Sequence, residues 1–290
     1  MTTSKVLRML ALPLAITLLL YACSKDSSIQ QAVPPGQQKV SIFLTDDPAF
    51  FDQVLVDIQS VAVQVDTCEK RDRWNDDEDE DHHHQERMDT CRIWDSLDIR
   101  PGVYDLLSLR NGVDTLLASG TIPDGKIKKI RIRLGPNNSL VKDSVSYPLR
   151  LPPGFDSVIT INLFGGEWED HGPRHRRLWM DFDLGRSIVR VRDNMFYLRP
   201  FFRLFIMSST GDIAGQVAPR EAKVVISVYN ATDTAYALPN RDGRFKIWGL
   251  KEGTYDMFIN ASNGYQDSTV TGIEVKAGQS TRLDKIELHK

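Results

Sequence analysis

The sequence lacks several features that would place it in a functional class at once. Its 290 residues include only three cysteines, too few for a disulfide-dense mini-protein or a multi-zinc scaffold. Neither sign of charge dominates, and a formal net charge of -3 excludes a strongly basic nucleic-acid binder. With 41% hydrophobic and 26% charged residues, the chain is not wholly disordered and suits a folded protein of one or two domains.

Motifs of common enzyme classes are also missing. The chain has no G-x-S-x-G elbow for a nucleophilic serine and no glycine-rich loop for phosphate binding. We therefore predict a protein that is not an enzyme and uses no cofactor. An enzyme of unrecognised type is the alternative.

The amino terminus has the pattern of a secretory signal peptide over residues 1–22. Lys5 and Arg8 precede an apolar run that is shorter than the roughly 20 residues of a membrane span. The run ends in Leu20-Tyr21-Ala22-Cys23, which resembles a bacterial lipobox. This resemblance implies cleavage before Cys23 and acylation of its thiol. The alternative is a free or buried cysteine behind an ordinary signal.

The residues after Cys23 predict where the protein resides. Acyl chains on that cysteine would anchor the chain in a membrane. Ser24-Lys25-Asp26 is similar to the surface-export signal of Bacteroidetes lipoproteins, with a plain linker as the alternative. Residues 23–38 contain Pro34-Pro35-Gly36 and are interpreted as a flexible tether. We expect a lipid-anchored outer-membrane protein that faces the periplasm or the cell surface.

Cys68 and Cys91 remain as a pair if Cys23 is acylated. Disulfides persist in exported proteins. Closing the loop of roughly 22 residues between these cysteines contributes ~3 kcal/mol in the chain-entropy model. We expect a Cys68–Cys91 disulfide, with two reduced thiols as the alternative.

Short runs of alternating apolar and polar residues dominate the rest of the chain, which is typical of an all-β protein. The valines and isoleucines of residues 54–58 have one parity and those of residues 61–65 the other. This change predicts a β-bulge or a strand bend near Gln59-Ser60. The runs at 130–134 and 178–184 each predict a strand with one buried and one solvent-exposed face.

A polar segment of small residues, Ser208-Ser209-Thr210-Gly211, marks a domain boundary. Beyond it, Gly215-Gln216-Val217 and the motifs from Asp242-Gly243 to Gly253-Thr254-Tyr255 resemble the carboxypeptidase regulatory-like family over about residues 212–290. The resemblance implies a transthyretin-like β-sandwich, and the family name does not imply peptidase activity. The core between its sheets would contain Phe245, Ile247, Leu250 and Tyr255.

The first part of the chain has three characteristic segments, which are residues 40–49, Asp105-Leu106-Leu107-Ser108-Leu109, and Phe182-Asp183-Leu184. Their likeness to the bacterial domain of unknown function 4382 covers about Lys39 to Met207. It implies an exported β-rich domain and brings no catalytic residues. We predict an all-β fold of two tandem β-sandwich domains, Greek-key or immunoglobulin-like, at residues 39–207 and 212–290, with an acidic insertion at 66–91.

The acidic insertion contains six consecutive carboxylates at residues 76–81, followed by His82, His83 and His84. Imidazoles and carboxylates are suitable ligands for divalent transition metals, so these histidines are candidate metal ligands. Ordering a loop around a metal costs about 1–2 kcal/mol per residue. A solvated acidic tract is therefore the main alternative, and a basic protein partner is another.

Two aspartate pairs could also carry chemistry. These are Asp46-Asp47 and the pair Asp181 and Asp183. Carboxylate oxygens are suitable ligands for calcium, and a pair of carboxyl groups can catalyse the hydrolysis of a glycoside. Nothing in the sequence brings the pairs together. We interpret the first as part of a turn and the second as lying on the solvent-exposed face of a strand.

The remaining candidates concern ligands and modification. If the first domain binds a carbohydrate or another small ligand, exposed Trp168 and Trp179 are the candidate platforms. Six Asp-Ser or Asp-Thr motifs resemble Bacteroidetes O-glycosylation sites, although turn chemistry enriches the same motifs. They contain Ser96, Thr115, Ser144, Ser157, Thr234 and Ser268.

The predicted function is that of a non-catalytic envelope lipoprotein for binding or scaffolding, with carbohydrate or small-ligand binding as the alternative. Besides the membrane, the expected partner is an envelope protein or a glycan and not a nucleic acid.

Overall fold

The computed structural model describes residues 33–46, 51–68, 91–192 and 194–290. β-strands make up most of the regular structure, which confirms the predicted all-β, sandwich-type fold class. Residues 35–290 form one compact unit. Within the described part of the chain, no helix is long and apolar enough to span a membrane. The predicted signal peptide, Cys23, and most of the tether and of the acidic insertion lie outside the described residues.

The first part of the chain builds one branched sheet. Its fourteen strands among the described residues are β1 Gln37–Asp46, β2 Gln53–Asp66, β3 Arg92–Ile99, β4 Gly102–Asp105, β5 Thr115–Pro123, β6 Lys126–Leu134, β7 Ser139–Lys142, β8 Val145–Arg150, β9 Val158–Asn162, β10 Glu169–Asp170, β11 His175–Phe182, β12 Ile188–Arg192, β13 Met195–Leu198 and β14 Phe202–Phe205. The main path through the sheet runs β10-β11-β1-β5-β3-β2-β7-β8-β13-β12. A 3-10 turn, Leu106–Leu109, follows β4, and a short helix α1, Leu184–Ser187, follows β11.

The long strand β2 confirms the predicted bulge. Val54, Val56 and Ile58 are fully buried before the bulge, and Val61, Val63 and Val65 are fully buried after it. Gln59 and Ser60 between them are both exposed, and the register with β6 shifts between Ile58 and Ser60. The extra residue keeps both halves of the strand turned towards the same core.

The second part of the chain forms two four-stranded sheets. One contains β15 Thr210–Ala218, β18 Arg244–Lys251, β21 Ser280–Arg282 and β22 Ile286–Glu287. The other contains β16 Val225–Tyr229, β17 Thr234–Ala237, β19 Gly253–Asn260 and β20 Ser268–Val275. A 3-10 turn, Arg220–Ala222, precedes β16.

The predicted core residues of this second part are confirmed. Phe245, Ile247, Leu250 and Tyr255 are each at most 3% exposed and belong to one buried cluster. Gly243 turns the chain into β18 with a φ of 75°, and a Cβ there would lie 2.2 Å from the carbonyl oxygen of Val217. Only glycine combines that left-handed φ with so close an approach of backbone.

Two separate clusters of apolar side chains are buried in the compact unit. The first core draws its residues from Val40 to Leu198, and the second core from Ile213 to Leu288. The domain boundaries given above stay a prediction. The Cys68–Cys91 disulfide is confirmed, with 5.5 Å between the Cα atoms.

Candidate functional site at the junction of the two cores

The two cores meet where backbone glycines face aromatic rings. Gly112, in the loop before β5, lies against β18, and a Cβ there would be 2.9 Å from the Trp248 ring and 2.8 Å from Cδ of Lys246. A Cβ at Gly249 would be 2.9 Å from the ring of Phe205. The side-chain amide of Asn111 donates a hydrogen bond to the carbonyl oxygen of Leu238 at 3.1 Å. Residues without a Cβ therefore allow side chains of one part to pack directly on the backbone of the other.

An ion pair lies at the same junction. β14 pairs with β11 so that Arg203 is opposite Asp181, whose side chain is 2% exposed. Arg203 Nη2 lies 3.0 Å from Oδ2 of Asp181, and Nη1 lies 4.0 Å from Oδ1 of Asp233, which precedes β17. Since a buried carboxylate requires a charged or hydrogen-bonding partner, Arg203 compensates Asp181 and also reaches across to the second part of the chain.

Asp233 also influences the second core. Burial is the main cause that raises the pKa of Tyr255, and the negative charge of Asp233 raises this pKa further. The Tyr255 hydroxyl donates a hydrogen bond to the carbonyl oxygen of Lys251 at 3.0 Å. The neutral phenol is thus the form that this site favours.

The fold brings together two aspartates that the sequence left apart. β1 and β11 are parallel neighbours, with Thr45 opposite Asp181, so that Asp46 and Asp181 line the same small polar cavity. Thr45 Oγ1 bridges the carbonyl oxygens of Leu109 and Val113, at 3.1 Å from each. Across the described residues, no three His, Cys, Asp or Glu side chains are grouped so that they could hold a metal ion.

The prediction of an exposed face on β11 is wrong. Asp181 is buried against Arg203, and Trp179 is only 5% exposed. The Trp179 ring stacks on Phe43 of β1 at 5.1 Å, and its Nε1 donates to Oδ2 of Asp114 at 2.7 Å. Residues from distant parts of the chain cover the face that alternation assigned to solvent.

Neither predicted tryptophan platform has the exposed ring that the prediction required. Trp179 is buried as described, and Trp168 is half-buried because it packs against the first core. Phe164, four residues before Trp168, is instead 89% exposed. It lies in a loop where the carboxylate of Glu167 accepts hydrogen bonds from the backbone N–H groups of Phe164 and Gly165. The sequence offers no periodic signal for that exposure.

The other candidate residues have different outcomes. Cys23, His82, His83 and His84 lie outside the described residues. Of the candidate glycosylation sites, Ser96, Ser144 and Thr234 are exposed, whereas Thr115, Ser157 and Ser268 are half-buried. Their modification stays a prediction.

Two cavities with cationic linings adjoin the junction, and sequence reasoning missed both. The larger has a volume of about 560 Å³ and is lined by Arg244, Lys246, Arg282 and Lys285. The smaller, of about 330 Å³, is lined by Arg110, Arg220, Lys223 and Arg241. No run of basic residues indicated them, because these side chains come from separate turns and strands.

These features define an all-β protein in which two buried cores meet at a cationic junction. The family described as "Domain of unknown function (DUF4382)" matches residues 37–200, more than half of the chain. The chain belongs to this family, which confirms the resemblance noted for its first part. No curated protein sequence matches the chain.

Several solved structures show distant similarity. The Bacillus anthracis TIE protein is 10% identical and is matched over 88% of this chain and 34% of that chain, with a TM-score of 0.25. GBS52, the minor pilin of Streptococcus agalactiae, is 14% identical over 86% of this chain and 95% of that chain, with a TM-score of 0.22.

A type II cohesin-X-dockerin complex from Acetivibrio cellulolyticus contains a chain that is 21% identical, over 27% of this chain and 56% of that chain, with a TM-score of 0.23. The chain described above therefore spans about a third of the length of the TIE protein and about half of the length of the cohesin-X-dockerin chain. TM-scores this low carry no argument about ligands or partners.

Proposed function

We propose that this chain is a non-catalytic lipoprotein of the cell envelope that acts as a binding or scaffolding module. The observation that carries the proposal is the close packing at Gly112 and Trp248, where a single added Cβ would overlap the ring. Packing of this kind holds the surfaces of both parts at fixed positions. A fixed surface suits a module that presents a ligand site or a partner site.

The proposed location follows from Cys23. An acylated Cys23 would hold the chain in the outer membrane, facing the periplasm or the cell surface. The Cys68–Cys91 disulfide supports an oxidising compartment, where such bonds persist. In this proposal the second part is a carboxypeptidase regulatory-like β-sandwich, and its two sheets around one buried cluster support that assignment.

A second candidate function is the binding of a carbohydrate or another small ligand. The cavity of about 560 Å³ beside the junction favours it, because ligand sites commonly have volumes of about 300–1,000 Å³. An enzyme of unrecognised type is the remaining alternative.

Metabolic labelling tests the lipid anchor. The full chain is produced in a Gram-negative host that is fed a clickable palmitate analogue, beside the Cys23→Ser variant. We expect label on the wild-type chain in the outer-membrane fraction and loss of that label in Cys23→Ser. The matched control, Cys68→Ser with Cys91→Ser, should keep its label. Undiminished label on Cys23→Ser would contradict the proposal.

A second assay tests the non-catalytic role. The purified full chain is incubated with acidic and neutral polysaccharides, and new reducing ends are counted. The proposal expects none above the level of a boiled sample. Release of reducing ends would show an enzyme instead.

A further inference from the structure

We infer that the two cationic cavities beside the junction together bind an anionic polysaccharide, a chain of sugars that carry carboxylate or sulfate groups. The inference rests on the proposed binding function and names the class of ligand. It depends on the register of three strands, on the residue shared by the two cavities, and on the local excess of positive charge.

Strand register builds the larger cavity. β18 and β21 flank β15 so that Lys246 and Arg282 both lie opposite Ala214, while Arg244 lies opposite Gln216. Neighbouring strands are about 4.8 Å apart, which places the backbones of Lys246 and Arg282 about 10 Å from each other. The one-carbon side chain of Ala214 leaves a depression between the two long cations.

The smaller cavity continues this depression. Asn240, in the turn before β18, lines both cavities. Arg110 lines the smaller cavity and its chain neighbour Asn111 lines the larger one, so the first part of the chain contributes to both. The two linings therefore form one cationic track around Asn240 across the junction.

The track has a strong excess of positive charge. Together the two linings contain eight Lys or Arg side chains, and no carboxylate lines either cavity among the described residues. Lys246 pairs with Asp212 at 3.3 Å, and Lys285 pairs with Glu287. Within the described part of the chain no ion pair is formed by the other six, which are Arg110, Arg220, Lys223, Arg241, Arg244 and Arg282.

This concentration of charge contrasts with the rest of the molecule. The whole chain has a formal net charge of -3, so the excess at the track is local. Grooves lined by one sign of charge concentrate ligands of the opposite sign. An extended polyanion would contact cations along the whole track, whereas a single small anion would contact only a few of them.

The uncharged lining residues favour a saccharide among the polyanions. Gln216 and Asn240 line the larger cavity beside the cations. Gln216 Nε2 donates to the carbonyl oxygen of Asp242, and Asn240 Oδ1 accepts from the backbone N–H groups of Asp242 and Arg244. The other amide atom of each side chain, Gln216 Oε1 and Asn240 Nδ2, can accept from or donate to a sugar hydroxyl. Nucleic acids that bind in such grooves stack their bases on aromatic rings. The aromatic residue of these linings, Phe245, is only 3% exposed and offers no stacking face.

Binding measurements with the full chain in a non-ionic detergent test the inference. The probes are oligogalacturonate and heparin oligosaccharides, with dextran as a neutral control and oligothymidylate as a nucleic-acid control. We expect one or both acidic saccharides to bind, dextran not to bind, and the affinity to fall at least tenfold between about 50 and about 300 mM salt.

Charge-reversal variants locate the site. Arg244→Glu with Arg282→Glu changes the larger cavity, and Arg220→Glu with Arg241→Glu changes the smaller one; all four side chains are exposed. Each pair should weaken binding at least tenfold. The control pair, Arg133→Glu with Arg192→Glu, makes the same change of charge at exposed strand positions elsewhere and should leave affinity within about twofold. Circular dichroism verifies that every variant is folded.

Several results would overturn the inference. These are no binding of either acidic saccharide, equal weakening by the control pair, weakening by one cavity pair alone, or binding of oligothymidylate as tight as that of the saccharides. None of these results would change palmitate labelling at Cys23 or the reducing-end assay. A failure of the ligand assignment is therefore distinguishable from a failure of the proposed function.

Discussion

Arg203 places its guanidinium 3.0 Å from the carboxylate of Asp181, a side chain that is only 2% exposed. The pair is formed across neighbouring strands of the first part, and the same arginine reaches Asp233 in the second part. One side chain thus compensates a buried charge and links the two parts of the chain.

Replacing this arginine should destabilise the fold strongly. Arg203→Met would remove the guanidinium that lies 3.0 Å from the buried carboxylate of Asp181, and we expect the free energy of unfolding to fall by about 3–5 kcal/mol. Urea denaturation followed by circular dichroism measures the change. Arg192→Met is the matched control at an exposed position on β12, and it should change stability by less than about 0.5 kcal/mol. Equal effects of the two variants would show that the ion pair does not stabilise the fold.

Alanine variants at two glycines with nearly the same backbone conformation distinguish the cost of backbone strain from the cost of crowding. Gly112 and Gly154 have φ values of 77° and 76°, but a Cβ at Gly154 would meet no atom within 4 Å, whereas one at Gly112 would overlap Lys246 and Trp248. Alanine should cost about 1–2 kcal/mol at either position from backbone strain. Gly112→Ala should cost about 1–3 kcal/mol more from overpacking. Thermal unfolding of the two variants provides the comparison, and equal losses would contradict the close packing of the junction.

Loss of the Cys68–Cys91 disulfide should lower the stability of the fold, because the unfolded chain gains conformational freedom. Cys68→Ser with Cys91→Ser removes the bond that closes the intervening loop, and we expect a loss of about 3 kcal/mol in the free energy of unfolding. Guanidinium denaturation without reductant measures the loss. Adding a reductant should destabilise the wild-type chain to a similar extent and should leave the double variant unchanged. An unchanged stability of the wild-type chain in reductant, or any change in the double variant, would contradict the expectation.

Stability should fall in alkaline solution because of Tyr255. Burial and the charge of Asp233 raise its pKa in the folded state above the ordinary value of 10.0 for a tyrosine. The folded chain therefore holds the phenol proton more tightly than the unfolded chain, and this contribution is lost as pH rises above about 10 through the folded pKa. Urea denaturation across this range should show a shallower decline for Tyr255→Phe. Part of the decline should remain, since burial also raises the pKa of Tyr104. Parallel curves for the two proteins would contradict the role of Tyr255.

Local patterns in the sequence were sufficient for much of the architecture. The parity change around Gln59 predicted a bulge because side chains alternate strictly along a strand and the buried face must be kept. Phe245 and Tyr255 were assigned to the core by a motif that also contains the glycines of its turns. The pairing of Cys68 with Cys91 follows from counting cysteines in a chain that is predicted to be exported.

Contacts between distant residues account for what those patterns missed. Alternation left the face of Trp179 and Asp181 to solvent, yet Asp114 and Arg203 meet these two side chains there. The cationic track is hidden in the sequence because its members are scattered from Arg110 to Lys285. Composition and periodicity indicate one buried face of a strand, but not what covers its other face. Only chain folding, through the register of β15 with β18 and β21 and the packing of Gly112 on Trp248, brings separate charges to one surface.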